Sequence, residues 1–173
     1  MLRFICHDYV TLKRGLIMAA TTIYMTIETA QGPIKGDSTS KTKPNVIHCS
    51  YYSYEANVEL HTSGGGGGSS AGKAHRTPVI IHKSIGNSSP RLMKALLTGE
   101  ALKTVTIELV RGTKTFFTVT LDRATITSIQ HSVPEGDETP DAIEEVEFVF
   151  QKISFKSADG TTVTDDTVKN KTT

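Results

Sequence analysis

The segment Gly67–Ala74, Gly-Gly-Ser-Ser-Ala-Gly-Lys-Ala, is nearly a phosphate-binding loop. Such a loop holds a nucleotide and Mg²⁺ with backbone amides, a Lys and a following hydroxyl, and it opens a helix. Here Ala74 stands where the hydroxyl should be, and the chain runs on through Pro78 into a β-branched stretch. The sequence therefore predicts a flexible surface loop and not a nucleotide site.

Five side chains could ligate a metal ion: His48, Cys49, His61, His75 and His82. Their separations match no compact zinc-ligand pattern, and His48 and Cys49, as neighbours on a predicted strand, should point to opposite faces. Serines are abundant, yet none lies in the Gly-x-Ser-x-Gly arrangement of a hydrolase nucleophile. We therefore predict no metal, no cofactor and no catalytic residue, with a hydrolase of dispersed site as a remaining alternative.

Tyr51, Tyr52 and Tyr54 follow Lys41 and Lys43, a combination that could stack the bases of a single-stranded nucleic acid. The chain, however, has 19 basic and 18 acidic residues and a net charge of +1. Near-neutral charge gives no reason to expect nucleic acid or an anionic membrane as a partner. The tyrosines are better explained as residues that pack within a sheet.

Seven acidic residues and no basic residue lie between positions 135 and 147: Glu135, Asp137, Glu138, Asp141, Glu144, Glu145 and Glu147. Such a run is usually a solvated loop. It could also face basic residues on a neighbouring copy of the chain, for which the candidates are Lys35, Lys41, Lys43, Lys73 and Arg76.

With 173 residues and 37% hydrophobic content, the chain can bury the core of one domain. Its two cysteines, Cys6 and Cys49, cannot form a disulfide framework and are predicted to be free thiols. The N-terminus lacks the continuous apolar stretch of a signal peptide, and no segment approaches the length of a membrane span. We expect a protein made in the cytoplasm, without membrane insertion.

The segment Lys73–Glu100 predicts a strand, a short helix and a stop. Val79–Lys83 is β-branched, and Ser89 followed by Pro90 is typical of a helix start. The helix should present an apolar stripe and end at a left-handed Gly99. The stripe consists of Leu92, Met93, Leu96 and Leu97.

Elsewhere the hydrophobic period is two. Thr104–Leu109 and Phe117–Leu121 alternate on either side of Gly112-Thr113-Lys114, which predicts a β-hairpin. In the last long strand, apolar residues occupy both faces: Val146, Phe148 and Phe150 on one, and Val149, Ile153 and Phe155 on the other. A small closed barrel, or a subunit whose outer face meets a neighbour, would explain this pattern. Three segments are loops by composition: Gln31–Pro44, Thr62–Gly72 and Pro134–Asp141.

The order and spacing of these segments resemble the haemolysin-coregulated protein (Hcp) family, the tube-forming proteins of bacterial type VI secretion systems. Besides Lys73–Glu100, the resemblance rests on Ile23–Ile27, Ile34–Ser38, Val46–Tyr54, Thr104–Ile107, Phe116–Phe117, Ala124–Ile126 and Glu145–Phe155. It covers nearly the whole chain after Met18. Tyrosines at positions 51, 52 and 54 replace tryptophans of many relatives.

The resemblance implies a mainly β fold, a small barrel of two sheets with one flanking helix, as in phage tail tubes. It also implies homohexameric rings that stack into a hollow tube, with sheath and spike proteins and effector cargo as partners. Secretion would use the type VI system and no cleavable signal peptide. The candidate ring or stacking residues are Gly64, Gly65, Gly66, Gly67, Gly68, Val149, Ile153 and Phe155.

We predict one Hcp-like domain over residues 18–158, an extension over 1–17 that packs weakly or precedes the true start, and a polar tail over 159–173 that could add one edge strand. The alternative from another functional class is a monomeric barrel that binds a small molecule or carbohydrate. In that case the strand Tyr51–Tyr54 would be its aromatic platform.

Overall fold

A computed structural model describes residues 20–62, 69–133, 142–168 and 171–172. The predicted extension over 1–17 with Cys6, the glycines Gly64–Gly68 and the loop Pro134–Asp141 lie outside the described residues. The strands are β1 (Thr21–Thr29), β2 (Gly32–Ile34), β3 (Ile47–Cys49), β4 (Tyr51–Ser53), β5 (Ala56–Thr62), β6 (Ser69–Arg76), β7 (Val79–Ser84), β8 (Leu102–Arg111), β9 (Lys114–Ser132), β10 (Ile143–Val149), β11 (Lys152–Ser157), β12 (Thr162–Asp166) and β13 (Lys171–Thr172), with one helix, α1 (Ser89–Thr98).

Eleven strands form one sheet, in which the long strand β9 is the centre. β9 pairs with β11 up to Asp122 and with β8 up to Ala124, and from Thr125 onward it pairs with β10. Between the two parts, Arg123 has a φ of 51°, a left-handed conformation that redirects the strand. Strand order then continues from β10 through β7 to β4 on one side, and from β8 to β1 on the other.

The prediction of a closed barrel is wrong. Strand β3 pairs with β1, whereas β4 pairs with β7, and Ser50 separates these two short strands. Among the described strands, the hydrogen-bonded ladder is therefore interrupted at this point and the sheet stays open. Strands β5 and β6 form a separate two-stranded sheet. The division into two sheets expected from the sequence is thus replaced by one large sheet and one hairpin.

The core lies between the inward faces of the large sheet and α1. Its fully buried apolar side chains include Met25, Ile27, Val79, Ile81, Leu92, Ala95, Val105, Ile107, Val119, Leu121, Val146, Phe148 and Ile153. The alternation predicted for β8 and β9 is confirmed, since Val105 and Ile107 face inward and β8 joins β9 through a turn with Gly112 at φ 62°. Within the described residues, no helix is long and apolar enough to cross a membrane.

Helix α1 begins at Ser89, and Ser88 occupies the N-cap without a side-chain capping bond. Gly99 ends it with φ 62°, donating to Leu96 O at 3.1 Å while Glu100 N donates to Ala95 O at 2.9 Å. This is the Schellman arrangement that Gly99 predicts. The predicted apolar stripe is only partly buried, because Leu97 is 78% exposed.

The single last strand predicted from Glu145 to Phe155 is two strands. Strand β10 ends at Val149 and β11 begins at Lys152, so Phe150 and Gln151 form a break. Both Phe148 and Ile153 are buried, although five positions separate them in the sequence. An uninterrupted strand would place them on opposite faces. The break between the two strands therefore explains why apolar residues occur at both odd-numbered and even-numbered positions of this segment.

Candidate functional site

The hairpin formed by β5 and β6 continues the β4–β7 pair beyond two short interruptions. Its strands pair from Ala56↔Arg76 to Thr62↔Ser69, with an irregularity between Val58 and Leu60. The predicted loop Thr62–Gly72 is consequently too long, because β6 begins at Ser69. Lys73 lies on this strand and opens no helix, which removes the structural context of a phosphate-binding loop. Within the hairpin, the turn between the two strands, with Gly64–Gly68, lies outside the described residues.

Aromatic side chains pack where the hairpin meets the large sheet. The ring of Tyr54 lies 5.9 Å from that of Phe150 and 5.5 Å from that of Phe155, and Phe155 stacks on Phe117 at 6.1 Å. All four are partly buried. Burial, and then the neighbouring Asp165 carboxylate, raise the pKa of Tyr54, so its hydroxyl stays neutral over the physiological range.

Three candidate interface residues from the sequence lie in different environments. Ile153 is fully buried in the core and offers no surface to another subunit, so its interface role is not retained. Val149 is 40% exposed at the end of β10, and Phe155 is half-buried in the aromatic cluster. Val149 and Phe155 therefore remain available for contact, on different strands.

The exposed face of β4, β7 and β10 carries a row of side chains in register. Tyr51 stands opposite His82, and His82 stands opposite Glu145. The rings of Tyr51 and His82 stack with centroids 4.5 Å apart, and His82 Nε2 donates to Glu145 Oε2 at 2.7 Å. This row gives the sheet a polar and aromatic outer surface.

The aromatic platform required by the alternative reading is not assembled, because the three tyrosines diverge. Tyr51 is exposed, whereas Tyr52 and Tyr54 pack against the core. Burial and the nearby Tyr54 raise the pKa of Tyr52 to about 12. One exposed ring is a poor platform for a sugar or for nucleic-acid bases.

The candidate metal ligands do not converge. Cys49 is buried while His48 is exposed, as expected for neighbours on a strand. Burial raises the pKa of the Cys49 thiol to about 12, against an opposing effect of Lys83. In the ranges that the structure covers, no three His, Cys, Asp or Glu side chains come close enough to hold a metal ion.

A buried polar cluster that sequence analysis missed lies between β7, β10 and the start of α1. The ammonium of Lys83 is 2.6 Å from Glu144 Oε2 and donates to Ser89 Oγ at 2.9 Å and Ser84 O at 2.8 Å. Ser89 donates to Glu144 at 3.0 Å, and His131 Nε2 donates to Glu144 Oε1 at 2.8 Å. Lys83 and Glu144 are essentially inaccessible to solvent.

The cluster contains Ser, Lys and Glu, residue types that can activate a nucleophile. Ser89 is nevertheless buried and already accepts from Lys83 and from Gly86 N, so no substrate carbonyl can reach its Oγ. Burial disfavours the charged Glu144, but the hydrogen bonds from Lys83 and His131 outweigh it and keep the pKa of Glu144 below its usual value. The arrangement is that of an internal ion pair. The sequence pattern could have indicated that Lys83 is buried, because this residue shares one face of β7 with Val79 and Ile81.

Several residues of the predicted contact between acidic and basic segments of neighbouring copies form ion pairs within one subunit. Lys43 is paired with Glu108 and Arg76 with Asp165 within one subunit. On the acidic side, Glu144 and Glu145 are engaged by Lys83 and His82. These charges are used inside the subunit.

Both the sequence and the fold of this chain are similar to those of known proteins. The sequence matches the family model described as "Type VI secretion system effector, Hcp" over residues 24–156. No curated protein matches it significantly. Secreted protein Hcp3 from Pseudomonas aeruginosa is 28% identical, with a TM-score of 0.63 and 85% of this chain and 98% of that chain covered.

Two further solved structures are similar. Hcp1 from Salmonella typhimurium is 21% identical, with a TM-score of 0.72 over 90% of this chain and 100% of that chain. A mutant form of Hcp1 from E. coli EAEC 042 is 22% identical, with a TM-score of 0.71 over 84% and 99%. Because the family model spans most of the sequence, the chain belongs to the Hcp family of type VI secretion system proteins, whose members are secreted tube proteins and not enzymes.

Proposed function

We propose that this chain is the structural subunit of a type VI inner tube, in which hexameric rings stack into a hollow cylinder. The sheath expels the tube on contraction, and the tube carries effectors in its lumen or on the spike at its tip. The chain is made in the bacterial cytoplasm and leaves without a cleaved signal peptide. Beyond the family match, the separate hairpin of β5 and β6 is the observation that carries the proposal.

The hairpin suits contact between stacked rings for two reasons. Its backbone pairs within itself, so it stands as an element of its own beside the large sheet. Its seven-residue strand β5 spans about 23 Å, a long element for contact with a neighbouring ring. Gly64–Gly68 at its turn would let backbone approach a neighbour closely. Val149 and Phe155, at the surface of the large sheet, are the proposed ring contacts.

Ring formation is the first expected result. At micromolar concentration, light scattering after size exclusion should give one species close to six times the 18.7 kDa chain mass. Closed rings require a heterologous contact between identical subunits, with about 1,200 Å² or more buried at each interface. A strictly monomeric, dispersed sample over this range would contradict the proposal and favour the small-molecule-binding alternative.

Shortening the hairpin turn should separate stacking from ring formation. Replacing Gly64–Gly68 with Asn-Gly keeps a three-residue turn, which antiparallel strands accept. Rings of unchanged mass are expected, with tubes lost in negative-stain electron micrographs and secretion lost in cells. A variant with serine at these five positions keeps the length and serves as the control. If the shortened variant unfolds, the turn belongs to the subunit fold.

A further inference from the structure

The hairpin is joined to the large sheet by two short linkers, Tyr54–Glu55 and Thr77–Pro78. Thr77 N donates to Glu55 O at 3.0 Å, and Glu55 N donates to Thr77 Oγ1 at 3.0 Å. Pro78 has no N–H, so the ladder of β6 cannot continue directly into β7. The direction in which the hairpin leaves the sheet is therefore weakly fixed by backbone pairing.

An open surface groove of about 210 Å³ runs along the base of the hairpin. Its lining consists of Arg76, Thr77, Pro78, Val149, Phe150 and Thr167. Solvent therefore reaches this side of the junction, and side-chain contacts across the base, among them those of Tyr54 with Phe150 and Phe155, hold the orientation.

One bidentate ion pair crosses this base. Arg76 is the last residue of β6, and Asp165 lies on β12, 89 positions later. Arg76 Nη2 donates to Asp165 Oδ1 at 2.8 Å, Nε donates to Oδ2, and Nη1 donates to Ala74 O at 3.1 Å. The two side chains are only 16% and 13% exposed, so solvent screens the pair far less than a surface pair.

We propose that Arg76 and Asp165 are positioning residues that set the direction of the hairpin, and through it the contact between stacked rings. The planar guanidinium engages both carboxylate oxygens, which fixes angle as well as distance. Because Asp165 lies on β12, which pairs with β11, this C-terminal strand becomes part of the structure that supports stacking. The inference rests on the proposed role of the hairpin in stacking.

The test measures hairpin protection and tube formation in Arg76→Gln, Arg76→Lys and the charge-swapped double variant Arg76→Asp/Asp165→Arg. In Arg76→Gln, amide hydrogen exchange over 56–62 and 69–76 should become about tenfold faster, while exchange in β8 and β9 is unchanged. Rings should keep their mass, and tubes should be fewer or absent. Arg76→Lys should be intermediate because an ammonium cannot bind both oxygens in a plane, and the double variant should restore protection and tubes.

Glu100→Gln is the matched control. It breaks a similar bidentate pair, since Glu100 accepts from Arg91 Nη1 at 2.6 Å and Nη2 at 2.8 Å, but that pair joins the first turn of α1 to the residue after Gly99 and is not part of the hairpin. Hairpin exchange should be unaffected. Unchanged exchange and normal tubes in Arg76→Gln would overturn the inference, as would loss of tubes that the double variant does not recover. If wild-type protein forms no tubes, the proposed function fails, and the exchange measurement alone decides the positioning role.

Discussion

Replacing Glu144 with Gln is expected to lower the free energy of unfolding by about 3 to 5 kcal/mol, because it leaves the Lys83 ammonium buried without a counter-charge. Gln has nearly the same volume as Glu, so the lost stability is due to charge and hydrogen bonding and not to packing. Urea denaturation followed by circular dichroism measures the free energy of unfolding. Glu145→Gln is the control on the neighbouring position. Its carboxylate lies on the partly exposed outer face with His82, and its loss should cost less than about 1 kcal/mol.

A double variant distinguishes an unpaired charge from a lost stabilising pair. Lys83→Met/Glu144→Leu removes both charges and fills much of their volume, and it should recover a large part of the stability lost in Glu144→Gln. If both variants are equally unstable, the hydrogen bonds to Ser89 and His131 dominate the effect. If Glu144→Gln is as stable as wild type, the buried ion pair is contradicted.

The same carboxylate makes stability depend on pH in a defined direction. The pKa of Glu144 is lowered in the folded protein from the usual 4.5, so its contribution is fully present above pH 4.5. That contribution is lost as pH falls from 4.5 through the folded pKa, where the unfolded chain binds the proton more tightly. Wild type should therefore lose more stability than Glu144→Gln between neutral pH and this acidic range.

Much of the fold is predictable because its signals are local. The hairpin β8–β9 follows from alternation around Gly112, and the end of α1 follows from a glycine that can adopt φ 62°. Each signal depends on neighbours a few positions apart. The open sheet did not follow, because whether β3 and β4 form one strand depends on long-range pairing on either side of Ser50.

The missed features involve partners that are distant in sequence. Periodicity gives the face of Lys83 and of Glu144, but not that their strands pair and place the two side chains opposite each other. The same holds for Arg76, whose partner lies on β12. For the hairpin, composition predicted a loop where the structure has a strand: Ser69–Gly72 has the residues of a loop, yet strand pairing uses backbone groups and tolerates them.

Replacing Ile153 with Asp is expected to unfold the subunit, although the sequence pattern suggested a surface role for this residue. Ile153 is fully buried and stands opposite Leu121 on β9 and Asp165 on β12. Burying an unpaired carboxylate there costs several kcal/mol, which is comparable to the 5 to 15 kcal/mol that stabilises a typical domain. Circular dichroism and solubility of the expressed protein measure the outcome.

Two further variants separate folding from assembly. Ile153→Ala should remain folded but lose about 2 to 5 kcal/mol, the usual cost of a cavity at a buried isoleucine. Val149→Asp should cost only about 1 kcal/mol because Val149 is 40% exposed at the end of β10, so the main defect should appear in ring mass. A folded Ile153→Asp subunit of wild-type stability that fails only to form rings would place Ile153 at a subunit interface and contradict its position in the core.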